Sequence, residues 1–414
     1  LAGYAIDSTI RNSGVEGTLD AWYFSGGLVG YANNTEIINS FAIAENFFGV
    51  ALFGTLVGYL EDGSIAQSNA SGSIIGYDAS IGGLVGYSFN GQIIGSNSNA
   101  TVGMFYHNDD SIYPYLPTGD DINDVGGLVG TQNGGEIVAS YSTGDILTIG
   151  ASPVKNSVGI IFGHRNNIGG LIGRMIDGKL LASYNLGSLH YQTPRLGVVF
   201  IIVDEENSLN NAGGVVGLME AGEVRSVYTR GNFSSDEIFE ERVSESLGTL
   251  VGHLSGGSFT GGYNLGKIGY SNAIEENRIL FDRLLFVESV EQKLLGVNSG
   301  GVFRGNRLDE PSGTLANCPI GFASVLLTNG TTQSCLFNGK QWGETSGDTA
   351  LTFYDNAYWG NSNFVYNNGD SDVTINYGWL FGEDNQLPVL FAREELLGDY
   401  LPAASLQRSL LPTP

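Results

Sequence analysis

The sequence predicts an all-β protein, a right-handed parallel β-helix of three-sided coils, and three observations lead there. The phrase Gly26-Gly27-Leu28-Val29-Gly30-Tyr31 returns with small changes as far as Thr249-Leu250-Val251-Gly252. Each return is followed by the same residue types at the same offsets. Between those fixed points lie apolar runs of strand length, too short for helices. A unit of this kind cannot bury its apolar side alone and must stack on its neighbours.

With the last Gly of the phrase as marker, the units fall at Gly3, Gly30, Gly58, Gly86, Gly130, Gly173, Gly217 and Gly252, the first four 27 or 28 residues apart. Five positions on stands Gly63, Gly91, Gly135, Gly178, Gly222 or Gly257, with Ser8 and Thr35 in the first two units. That position reads as a turn residue chosen for permissive backbone angles. Two residues later the chain is apolar (Ile10, Ile37, Ile65, Ile93, Ile137, Leu180, Val224, Phe259), and ten after the marker comes Ser13, Ser40, Ser68, Ser96, Ser140 or Ser183. A second Gly follows (Gly17, Gly72, Gly144, Gly187, Gly231, Gly266), and two residues beyond it Leu19, Ile74, Ile146, Leu189, Phe233 and Ile268. Three Gly-punctuated runs make one coil. About eight to nine coils at roughly 4.8 Å each form a rod about 40 Å long. Helical repeats would need 3.6-residue periodicity, which is absent. A β-sandwich would not repeat identical chemistry at one period.

Residues 1–100 are nearly free of insertions; thereafter the marker intervals widen to 44, 43, 44 and 35 residues. The extra residues, about 103–124, 147–168, 190–211, 234–247 and 269–298, fall at one place in the unit, before the next phrase, and so along one edge of the rod. Loops on a rigid scaffold are the natural place for binding; the simpler alternative is that they cover apolar wall. The first insertion mixes Asp109, Asp110, Asp120, Asp121 and Asp124 with Tyr113 and Tyr115. That mix suits Ca²⁺ or a sugar ring, but it lacks EF-hand spacing, and solvated loop acids are the simpler reading. In the third, the apolar run Val198 to Val203 reads as an added strand. The last carries Ile274, Ile279, Leu280, Leu284, Leu285, Val290, Leu294 and Leu295 at helical spacing, which predicts an amphipathic helix over 273–295 lying on the solenoid. A degenerate phrase, Ser299-Gly300-Gly301-Val302-Phe303, closes the solenoid domain, 1–299. Residues 300–392, rich in Trp and Tyr, are expected to cap its end, and 393–414 form an apolar tail.

The Gly-Leu-Val-Gly phrase with its downstream Gly, Ile and Ser-Tyr resembles the GLUG motif, a repeat of large bacterial surface adhesins that also stands beside the catalytic region of some immunoglobulin A peptidases. The resemblance covers about residues 1–270 and recurs at all the motif's sub-positions. Cys318-Pro319, Cys335, Gly378-Trp379-Leu380-Phe381 and Gln386-Leu387-Pro388-Val389-Leu390 resemble the closing segment of such proteins. The resemblance implies a scaffold and brings no catalytic residue.

With 43 acidic against 18 basic residues, the net charge is −25 and the sequence pI about 4.3. Nucleic acid and anionic membrane surfaces are thereby disfavoured as partners. Acidity with only 15% charged residues fits a secreted or cell-surface protein, and one able to recruit divalent cations. The 62 Gly are periodic and the hydrophobic fraction is 42%, so composition permits a folded core. No apolar run reaches membrane-span length, and no signal peptide is visible. Because Leu1-Ala2-Gly3-Tyr4 already sits inside a repeat phrase, the chain is expected to be a piece of something longer, or to have its first coil covered by a partner. Cys318 and Cys335 bracket a Gly/Thr/Asn-rich segment; a disulfide is expected there, two buried thiols being the alternative.

Catalytic constellations are not visible. His107, His164, His190 and His253 stand singly, acids and bases are sparse in the regular strands, and no nucleophile elbow, paired His-Glu motif or phosphate loop occurs. The expected function is therefore a non-enzymatic extracellular adhesin or surface-fibre segment, with no cofactor beyond a Ca²⁺ in the acidic loop. Its partners would be other copies, other domains of a parent protein, or a cell-surface glycan or protein. The alternatives are a glycan-active β-helix enzyme and a scaffold within a larger secreted protease.

Strand alternation adds one expectation. If Leu28 points inward, Val29 and Tyr31 share the outer face. Tyr4, Val29, Tyr31, Val57, Tyr59, Val85 and Tyr87 then form an outward apolar ladder, an assembly surface over the coils without insertions. The competing reading is a corner that turns both side chains inward.

Overall fold

The computed structural model describes residues 2–21, 23–104, 122–149, 165–192, 209–236, 244–264, 268–271 and 295–304, and short strands at 154–155, 161–162, 307–309, 324–326, 332–334, 336–337, 362–367, 372–380 and 389–394. Among these residues the secondary structure is all β. The strands after each marker pair in parallel, one repeat to the next. Ala2 pairs with Val29, Val29 with Val57, Val57 with Val85, Val85 with Val129, Val129 with Ile172, Ile172 with Val216, Val216 with Val251, and Val251 with Leu295. The ladder keeps this register whether the interval is 28 or 44 residues. Insertions therefore leave the sheets without interrupting them.

The corners explain the short strands. At the first, Asp7, Asn34, Asp62 and Asn90 take left-handed backbone angles (φ 44° to 50°); in later repeats Gly135, Gly178, Gly222 and Gly257 do so one residue further on. Gly63 and Gly91 were expected to serve that purpose, but Asp62 and Asn90 already make the turn. A Cβ on Gly63 would instead lie 2.6 Å from the Thr35 carbonyl oxygen, so this Gly permits close stacking of repeats. The second corner carries left-handed Asn12, Asn39, Gln67, Ala139 or Ala182, followed by the recurrent Ser. There the backbone N–H groups of Ser13, Ser40, Ser68, Ser96 and Ser140 each donate to the Ser Oγ of the next repeat at 3.1–3.2 Å. Each Oγ from Ser13 to Ser183 also donates to the carbonyl two residues before it. The recurrent Ser thus forms a continuous hydrogen-bonded column.

Two apolar cores run along the ladder. One holds Leu28, Val29, Ala32, Ile37, Ala42 and their equivalents; the other holds Phe47, Phe53, Ile74, Ile81, Val102, Val125, Ile146, Ile168, Leu189 and Phe233. Of the residues placed after the second Gly, Ile74, Ile146, Leu189 and Phe233 belong to this second core, with Leu19 packed against it. The marker Gly allows two backbones to meet between them. A Cβ on Gly86, Gly217 or Gly252 would fall 2.5 Å from the backbone nitrogen of Phe53, Ile168 or Ala212, in the strand ahead of an earlier phrase.

The outward placement of Val29, Val57 and Val85 is corrected by the structure: all three are fully buried, as are Leu28, Leu56 and Leu84. The N–H groups of Leu28 and Val29 both donate to the Leu56 carbonyl, those of Leu56 and Val57 to Leu84, and those of Leu84 and Val85 to Leu128. The chain is turning at these paired donors, so two successive side chains enter the core before alternation begins.

The degenerate phrase is also displaced. Leu295–Asn298 pairs with Val251–Leu254, which makes Gly296 the equivalent of Gly252. Leu295, the last residue of the expected helix, is therefore a buried strand residue, and 273–294 lie outside the described residues. So do the expected added strand at 198–203 and the expected tail, 393–414, except for Arg393 and Glu394, which end the strand Val389–Glu394. Val302–Arg304 and Arg307–Asp309 continue the ladder against Ser258–Asn264. Within the second insertion Val154–Lys155 and Ile161–Phe162 form a small antiparallel pair. Near the C-terminus, Ser362–Asn367, Asp372–Leu380 and Val389–Glu394 form an antiparallel sheet whose last strand lies beside Ile172–Asn185.

Candidate functional site

Over the first repeats the strands after the marker present two parallel columns. The first is Tyr4, Tyr31, Tyr59 and Tyr87, in register. Their ring centroids are 5.6, 5.3 and 5.2 Å apart, and the planes become nearly parallel toward Tyr87, 15° and then 5° from one another. The second column, two residues on, is Ile6, Asn33, Glu61 and Phe89. Tyr31 Oη donates to Glu61, Asn33 lies within 3.5 Å of the same hydroxyl, and Asn133 Nδ2 donates to Tyr87 Oη at 3.2 Å. Phe24 closes one side, edge-on to Tyr31 and Tyr59 at 6.1 and 5.7 Å. It does so with φ 43°, a strained angle for a bulky residue. The hydrogen bond to Glu61 raises the Tyr31 pKa; burial among its neighbours, with the nearby Glu61 charge, pushes Tyr59 up to about 12. Of the assembly residues expected from sequence, the four tyrosines thus form a face, Tyr4 being 71% exposed, while the three valines lie in the core beneath it.

From the fifth repeat on, the tyrosine column continues as Thr131, Arg174, Leu218, His253 and Val297. Opposite it, in the strands ahead of the phrase, a polar column runs Ser80, Asp124, Asn167, Asn211 and Ser246. Asn211 Nδ2 donates to Asn167 Oδ1, and Asn167 Nδ2 donates to Asp124 Oδ1, both at 2.7 Å. Thr131 Oγ1 donates to Asp124 Oδ2 at 2.6 Å and lies 2.7 Å from Ser80 Oγ, which itself lies 2.8 Å from the Gly86 carbonyl. Beside it Asn123 Nδ2 donates to Asn166 Oδ1 at 2.9 Å. Arg174 pairs with Glu220 at 2.6 Å. Burial raises the Asp124 pKa, opposed by the hydrogen bonds from Asn167 and Thr131 and by the Arg174 charge.

Asp124 therefore differs from the solvated loop acid the sequence suggested: it is 5% exposed, in Ile122–Gly126, and committed to internal partners. Its companions Asp109, Asp110, Tyr113, Tyr115, Asp120 and Asp121 lie outside the described residues, as do Cys318 and Cys335. Among the described residues no group of three or more His, Cys, Asp or Glu is arranged to hold a metal, and no helix is long and apolar enough to cross a membrane. His253 is half-buried, its Nε2 2.9 Å from Ser299 Oγ, and burial lowers its pKa, as it does that of His190. The asparagine column escaped the sequence reading, although Asn123-Asp124, Asn166-Asn167 and Asn210-Asn211 all stand at one offset before the Gly pair. No protein-family model, curated protein or solved structure matches the chain.

Proposed function

We propose that this chain is a non-enzymatic extracellular scaffold, a GLUG-type segment of an adhesin or surface fibre, folded as a right-handed, three-sided solenoid of about eight to nine coils. The observation that carries this reading is the constancy of register across insertions: Val85 pairs with Val129 over 44 residues as Val57 pairs with Val85 over 28. The core is thereby independent of what is inserted, which suits a rod that holds loops and faces at fixed spacing. The strong negative charge and the absence of long basic runs suit an extracellular surface more than nucleic acid. Asp124 lends no support to hydrolysis, since both its oxygens accept internal hydrogen bonds. A Cys318–Cys335 disulfide belongs to the same reading; closing a loop of that length would contribute about 3 kcal/mol in the chain-entropy model.

The test is location and form. Antibody labelling of intact source cells, with electron microscopy of purified material, should find surface-exposed or released rods. Confinement of the protein to the cell interior would overturn the reading, as would release of reducing sugar from polysaccharides by the pure chain. Thiol titration under denaturing, non-reducing conditions should find no free thiol.

A further inference from the structure

We propose that the tyrosine face binds a linear, uncharged, β-linked polysaccharide laid along the ladder axis. The proposal rests on the reading of the chain as a surface scaffold and gives that scaffold a ligand class.

Periodicity is the first argument. The face offers the same groups once per repeat, the Tyr31, Tyr59 and Tyr87 rings being 5.3 and 5.2 Å apart. A ligand that gains from every repeat must itself repeat at that interval. An extended peptide advances about 3.3 Å per residue and turns alternate side chains away, so it falls out of step. An extended chain of β-1,4-linked pyranose rings advances by about one ring per strand spacing, so one ring meets each repeat although successive rings are turned over.

Chemistry narrows the ligand further. Stacking on one another turns the rings so that edges and hydroxyls, not faces, point outward. Beside them Asn33 and Asn133 supply amides and Glu61 a carboxylate. Such a row of mixed donors and acceptors set between ring edges matches sugar hydroxyls. Tyr31 and Tyr87 already have side-chain partners; the Tyr59 hydroxyl between them makes no hydrogen bond among the described residues and is the open position. The groups are held by the sheet, so little side-chain freedom remains to be lost on binding.

Charge disfavours the competing occupants. Asp7, Glu61 and Asp62 border the face, and Ala2–Ile6, Val29–Asn33, Val57–Glu61 and Val85–Phe89 contain no Lys or Arg. A uronate polymer would be repelled, and a second copy would set one acidic border against another on chains of charge −25.

The experiment is calorimetric titration of the full chain with cellohexaose, xylohexaose and chitohexaose, and with polygalacturonate as the anionic counterpart. At least one neutral hexasaccharide should bind, more tightly than its disaccharide. Tyr59→Ser should weaken it about 3- to 10-fold, the scale of one hydrogen bond. Glu61→Gln, which leaves every ring in place, checks the same face should Tyr59→Ser misfold, and should change the affinity at least threefold. The proposal is overturned if no neutral hexasaccharide binds, if both variants leave binding unchanged, or if only polygalacturonate binds. It is equally overturned if Tyr59→Ser abolishes self-association and nothing else. None of these failures bears on where the protein resides, the test of the scaffold reading.

Discussion

Asn167 donates to Asp124 across 2.7 Å from one repeat to the next, in a column where Asn211 donates to Asn167 over the same distance. Asp124 is the acceptor end of this relay and the only ionisable residue among Ser80, Asp124, Asn167, Asn211 and Ser246. Its folded pKa is raised, chiefly by burial, over the unfolded value. The sign follows: the native state holds the proton more tightly, so this group's stabilisation is full below the unfolded pKa and is lost as pH rises through the folded one. Asp124→Asn keeps the acceptor for Asn167 and removes the buried charge. The variant should therefore melt higher than wild type at neutral pH, and the difference should shrink toward pH 4. Equal melting temperatures at pH 7, with unchanged pH dependence, would refute this account.

How much of this could be read in the sequence depends on the residue. Gly30, Gly58 and Gly86 were legible as markers because close backbone approach tolerates no other side chain, so the letter repeats. The Ser column was legible for the same reason, each Oγ serving two backbone partners. Val29 was not, because pleat alternation is a rule of straight strands and the paired N–H donors at Leu28 and Val29 mark a turn that letters do not reveal. Leu295 was misassigned because a buried strand residue and a helix residue are both simply apolar in a short window. Asp124 looked like a loop acid beside six other Tyr and Asp positions; only its offset, shared with Asn167 and Asn211, marked it as part of a ladder.

The marker glycines should be far less replaceable than they look. A Cβ on Gly86 would stand 2.5 Å from Phe53 N, whereas a Cβ on Gly3 meets nothing within 4 Å. Gly86→Ala should cost about 1–3 kcal/mol, the scale of an overpacked core. Gly3→Ala should stay within about 0.5 kcal/mol. Urea titrations of the two variants give the comparison, and equal midpoints would show that the waist between the cores is not tight.

The Ser column makes a second stability prediction. Ser96 Oγ accepts the Ser68 N–H at 3.1 Å and donates to the Ile94 carbonyl at 3.0 Å, and both serines are fully buried. Ser96→Ala removes the acceptor and leaves a buried N–H unpaired, at a cost of about 1–3 kcal/mol. Amide exchange should quicken at Ser68 relative to Ser40, whose own acceptor, Ser68 Oγ, is untouched. Equal acceleration at both would mean that the column unfolds as one unit and that this bond has no separate effect.

The last prediction separates the two residues that strand alternation would have placed on one side. Val57 is fully buried in the main core, and Tyr59, two residues later, stands in the outer stack between Tyr31 and Tyr87. Val57→Ala removes two methyl groups from a packed interior and should cost about 2 kcal/mol through lost burial and the cavity left behind. Tyr59→Ser removes a larger side chain from a half-exposed row, where the loss is confined to ring contacts worth about 0.5–1.5 kcal/mol each beyond burial. The tyrosine variant should also change the near-ultraviolet circular dichroism, because it interrupts the stack, while Val57→Ala should leave that signal in place at temperatures where it remains folded. A tyrosine signal unchanged by Tyr59→Ser would mean that the rings are not stacked in solution, and the face described above would lose its regular spacing.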